Sequence, residues 1–149
     1  KSNDFFITLP IMDQRIIKFI KRHHVMTLTV ASDNRPWSCQ VFYAYHAHTN
    51  SLLFTSGPDT RHIQEAMKNP AVAVSIVLES KVVARLQGVQ IEGTFSAALD
   101  DTFRSTFVAR FPFIALTLGT LWRVEITTAK HTDNTLGFGT KLYFPEKQN

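Results

Sequence analysis

Short runs of β-branched and aromatic residues, separated by turn-forming residues more often than by helices, set the strongest limit on what this chain folds into. Residues 25–31, 37–47, 51–55, 71–78, 83–97, 121–128 and 141–144 read as strands, six or so in all once the weakest are discounted. In residues 37–47, Trp37, Cys39, Val41, Tyr43 and Tyr45 alternate with Ser38, Gln40, Phe42 and His46, and the chain returns through 51–55 as a hairpin. Helical spacing is confined to the start of the chain and two crossovers. A doubly wound parallel sheet needs a helix after nearly every strand, so the pattern argues for a closed antiparallel barrel.

The helices have clear signals. Residues 11–23 place Met12, Ile16, Phe19, Ile20 and His23 on one face, with Arg15, Lys18 and Arg22 between them. Asp59 or Thr60 caps a second helix that buries Ile63, Ala66 and Met67 and stops at Asn69-Pro70; Asp100 caps a third over 100–110. Gly88 and Gly93 interrupt the run 83–97, where a bulge or a close backbone approach is expected.

A chain of 149 residues without linker or repeat is one domain, residues 1–149, and 44% hydrophobic content with 19% charge suits a globular protein. Phenylalanine is abundant, 12 in all, and Phe107, Phe111 and Phe113 read as exposed rings available to a subunit contact. The net charge of +4 is spread along the chain; Arg15, Lys18, Lys21 and Arg22 form a solvated helix face, and no nucleic-acid partner is expected. Cys39, the lone cysteine, points to a small buried hydrophobe in a reducing, cytoplasmic setting, and no stretch is long and apolar enough for a membrane span.

The stretch FTSGPDTRHIQEAMKNP, residues 54–70, carries the chemistry. Thr55 and Ser56 leave a strand, and Thr60, Arg61 and His62 open the helix that follows. A helix start offers unpaired N–H groups and partial positive charge, and a guanidinium grips a phosphate in bidentate fashion. Read from spacing alone, Arg61 either serves such an anion or pairs with a nearby carboxylate. His46-x-His48 suggests a metal pair only if the strand runs through both; with no nearby Cys or carboxylate, no metal is expected.

This stretch resembles the flavin-phosphate segment of the pyridoxamine 5′-phosphate oxidase-like split-barrel superfamily. Val89-Gln90-Ile91-Glu92-Gly93 is similar to a second strand of the same superfamily, and residues 130–139 (KHTDNTLGFG) resemble the C-terminal signature of its YhbP-like group. The resemblance implies a mainly β (α+β) fold, a six-stranded antiparallel split β-barrel with a few flanking helices. It implies FMN as cofactor, with Thr55, Ser56, Thr60 and Arg61 on the phosphate and His62 standing where lysine is usual. Gln40, Val41, Phe42 and Tyr43 would lie along the flavin ring, with Gln90 as a polar contact. It further implies a homodimer with the flavin site at its interface and a small-molecule substrate. The basic residues that the oxidases carry on the ring strand are Gln40 and Tyr45 here, which argues against pyridoxamine phosphate oxidation itself. A flavin or haem binder without turnover is the alternative on the same barrel. Residues 133–139 read either as a loop over the ligand or as a hairpin with an Asx turn at Asp133-Asn134.

Overall fold

The computed structural model describes residues 10–113 and 119–147. Three helices, α1 (Gln14–Arg22), α2 (Arg61–Lys68) and α3 (Asp101–Arg110), accompany eight strands: β1 (Val25–Ser32), β2 (Arg35–Phe42), β3 (Ala44–His46), β4 (Ser51–Ser56), β5 (Ala71–Leu78), β6 (Gln87–Ala97), β7 (Thr120–Asp133) and β8 (Lys141–Phe144). All pairings are antiparallel, in the order β2-β1-β5-β6-β7-β4-β3, with β8 beside β7.

The sheet therefore has eight strands where six are predicted. The run 37–47 breaks at Tyr43, whose N–H bonds His24 O and whose phenol bonds Ile20 O, so the residue leaves the ladder for the core. The half before it pairs with β1 and the half after it with β4, and 141–144 forms a strand of its own on β7. Because β2 and β3 are the two ends of the hydrogen-bonded order yet adjacent in the chain, the sheet curls into a half-barrel.

The concave face is apolar: Met26, Leu28, Val74, Ile76, Ile91 and Val124 meet Ile16, Phe19 and Ile20 of α1. At 25–30 cal/mol for each Å² of apolar surface removed from water, burial of this kind dominates the fold's stability. Asp13 caps α1 and Asp100 caps α3 through their carboxylates. On α2, Ile63 and Ala66 are buried as predicted but Met67 faces solvent. Phe107 is buried beside Phe103 in a second cluster with Leu53 and Leu121, contrary to its predicted exposure; Phe111 is half-buried and Phe113 exposed. Cys39 is half-buried against the core.

Gly93 sits at a register shift between β6 and β7, where the ladder moves by one residue. A Cβ there would stand 2.4 Å from Val124 Cγ1 and 2.7 Å from Glu125 O, so only glycine lets the strands approach. Residues 133–139 run from the end of β7 into its connection with β8. Asp133 accepts from the Thr135 N–H, the Asx turn of the second sequence reading, and Asn134 reaches back to Val83 O.

Candidate functional site

Buried Phe54 anchors β4, and the strand delivers Ser56 to the start of α2. The Trp122 indole N–H donates to Ser56 O at 3.0 Å and fixes the strand end. Gly57 O then accepts from both the Thr60 N–H and the Thr60 hydroxyl, at 3.2 and 2.8 Å, which closes the turn. Thr60 is the N-cap by position, yet its hydroxyl is committed to Gly57 and makes no capping bond to the helix. The first-turn N–H groups of α2 are left without a cap and point their partial positive charge outward.

Around that opening, Ser56 Oγ lies 2.6 Å from His62 Nε2 and 3.4 Å from Thr60 Oγ1. Thr60 Oγ1 lies 3.3 Å from the same imidazole nitrogen. Burial pushes His62 below its ordinary value, so the ring is neutral near pH 7. Thr55 is half-buried, and strand alternation turns it to the opposite side from Ser56.

Arg61 makes the carboxylate pair that one of its two sequence readings gives. Its Nε donates to Glu65 Oε1 at 2.9 Å, one turn along the helix, and its guanidinium carbon stands 4.1 Å from the Trp37 ring centroid. The side chain is 40% exposed, and among the described residues its two Nη groups make no hydrogen bond. A carboxylate holds Nε, and the two Nη groups are left without a partner among the described residues. Glu65, at i, i+4 in R-x-x-x-E, is the nearby carboxylate that this reading leaves unnamed; Trp37 has no local signal, because only curling of β2 over α2 brings it there.

The predicted ring-binding residues fall into two groups. Val41 packs inward, and Tyr43 is enclosed in the core, so its ring is not on the face that carries Gln40 and Phe42. Those two project from the outer face of the sheet. Register places Gln40, Thr27, Ser75, Gln90, Lys130 and Tyr143 in one straight row across that face. Beside it, a groove of about 550 Å³ runs between small residues of β1 and β5 and the wall formed by Tyr143 and Lys147.

Gln90 is far from the anion cluster within one chain. On β7, Ser56 lies opposite Thr120 and Gln90 opposite Lys130, ten positions apart or about 33 Å at the usual strand rise. The fold therefore brings Ser56, Thr60 and His62 together, with Arg61 next to them in the chain at the start of α2, and leaves Thr55 on the other side of β4 and Gln90 elsewhere. His46 is bonded to Thr49 through Nδ1, and its ring stands 6.4 Å from that of His48.

A family model described as pyridoxamine 5′-phosphate oxidase matches residues 12–129. The chain belongs to this family. A UPF0306 protein of Yersinia pseudotuberculosis is 31% identical over 132 residues, covering 87% of this chain and 90% of that protein. Among solved structures, a haem-binding protein from Mycobacterium smegmatis superposes with a TM-score of 0.74 at 14% identity, covering 92% of this chain and 59% of the other. An FAD-binding protein from Mesorhizobium loti superposes at 0.68 with 18% identity, covering 83% and 93%. At such identities these two establish the fold shared with the family, the split barrel expected from residues 54–70 and 89–93.

Proposed function

We propose that this protein binds FMN through the start of α2 and serves as a cytoplasmic, flavin-dependent oxidoreductase acting on a small molecule. One observation carries the reading: two hydroxyls and an imidazole meet at the end of β4, at an uncapped helix start whose first residue, Arg61, keeps both Nη groups without a partner among the described residues. Those groups suit a phosphate dianion, which takes several donors at once and is favoured by a helix N-terminus. A bound flavin supplies the hydride chemistry; the chain's own part is to hold and orient it.

The same reading calls for two copies. Gln40 and Gln90 share the outer face, and Gln90 lies ten register positions along β7 from the anion cluster. A second copy that lays its outer face near the first copy's α2 brings both polar sets to one ligand, which supports a homodimer with the site at its interface.

Haem is the second reading, supported by the fold shared with a haem-binding protein. His131, whose ring nitrogens have no partner among the described residues, is the natural candidate for an axial ligand, but it is only 3% exposed and packed against Phe19. Iron reaches it only if α1 moves, so flavin is favoured.

The test is the absorption of protein incubated with each ligand, a band at about 450 nm for flavin and about 400 nm for haem, with Arg61→Ala as the control. Arg61→Ala is expected to weaken FMN binding by about 1–3 kcal/mol, less than for a buried guanidinium because the side chain is half in solvent. Equal FMN affinity for parent and variant refutes the phosphate site.

A further inference from the structure

We propose that Trp37 is a positioning residue for the phosphate of the ligand, acting through Arg61; the inference rests on the FMN reading above. Arg61 begins α2 and Trp37 lies on β2, two elements that share no hydrogen-bonded ladder. The guanidinium lies 4.1 Å from the indole centroid, within the range of a cation–π contact. Its Nε is held from the side by Glu65. With one face on a ring and Nε on a carboxylate, the remaining freedom of the fork is small. A free arginine side chain loses rotamer entropy when it grips an anion, so a platform that removes that freedom before binding raises affinity for a bidentate anion.

Trp37 itself is 43% exposed and lies outside the main core cluster, so packing alone does not account for a tryptophan there. Its strand neighbours Cys39 and Val41, on the same side, are the ones that pack against the core. The indole instead extends the inner face of β2 out to the start of α2. Through this contact the strand that carries Gln40 and Phe42 is registered against the anion cluster.

The experiment compares FMN with riboflavin, which lacks only the phosphate, by fluorescence titration of the full chain. The parent is expected to prefer FMN by at least about tenfold. Trp37→Leu removes the ring, and the preference is expected to fall about fivefold or more with riboflavin affinity little changed; Trp37→Tyr keeps a ring and is expected to restore most of it. A merely structural tryptophan lowers both affinities together and leaves their ratio alone. An unchanged ratio in Trp37→Leu overturns the role of Trp37 while the phosphate site stands. A parent that binds both flavins equally, or neither, overturns the phosphate reading and this inference with it.

Discussion

Ser56 Oγ and His62 Nε2 lie 2.6 Å apart, and a single hydrogen links them. The Thr60 proton is already donated to Gly57 O, so Thr60 accepts from this pair and adds no second proton to it. When His62 is charged, its Nε2–H donates to Ser56, and the serine proton is free for an anion. Burial favours the neutral ring, and a phosphate dianion beside it favours the charged one, so binding takes up a proton. FMN affinity is expected to rise as pH falls from about 8 to about 6.5, while His62→Lys binds about 1–2 kcal/mol tighter at about pH 7.5 and shows a flatter profile. Isothermal titration in buffers of different ionisation enthalpy measures the proton directly; zero uptake by the parent contradicts the coupling.

Glu65 partly neutralises Arg61 while holding its Nε. Glu65→Gln keeps a carbonyl acceptor for that bond and removes the charge. FMN is expected to bind about 1 kcal/mol tighter in the variant, with riboflavin unaffected, and the gain should shrink in high salt. Weaker FMN binding in Glu65→Gln at low salt would count against this account.

Gly93 admits no side chain. Its would-be Cβ meets Glu125 O at 2.7 Å as well as Val124, and a backbone oxygen in a ladder cannot step aside as a side chain does. Gly93→Ala is expected to lose about 2–3 kcal/mol of stability by chemical denaturation. Gly139→Ala meets no neighbour within 4 Å but sits at φ 77°, so its smaller loss arises from backbone strain alone.

His131 is buried on β7 with neither ring nitrogen hydrogen-bonded to any of the described residues, and burial, outweighing Asp133 and Asp13, holds it below its ordinary value. The unfolded chain then binds more protons than the folded one once pH drops below about 6.5, so stability falls as pH is lowered from about 7 to about 5. Burial lowers His23, His46 and His62 too, and their contributions have the same sign. His131→Leu is expected to show a shallower loss over that range and to gain about 1 kcal/mol at neutral pH, from the buried nitrogens it removes. Thermal midpoints of parent and variant across pH decide it; parallel curves rule His131 out.

Local rules made much of this legible. Thr60, one of the two residues the sequence offers, and Asp100 stand at the starts of α2 and α3, and Asn69 ends α2, while α1 starts later than the spacing of 11–23 suggests, at Gln14 after its cap Asp13. The strand pattern and residues 54–70 led to the family that the chain belongs to. What escaped depends on curvature. Nothing in the alternation of 37–47 shows that Tyr43 turns out of the ladder, because its partners, Ile20 O and His24 O, lie about twenty residues away in the chain. Met67 and Phe107 were misplaced for a related reason: periodicity gives a helix's apolar stripe but not how wide a stripe its neighbours cover. The row from Gln40 to Tyr143 follows from register, which no single strand encodes.

The junction at Tyr43 has a mechanical consequence. The two rims of the curled sheet are tied by covalent chain at this residue, so the wall's seam is one peptide segment fastened down by the phenol on α1. A cut between Phe42 and Ala44 leaves the other strand pairings formally intact yet frees the rims to spread, and α1 loses its clasp at the same stroke.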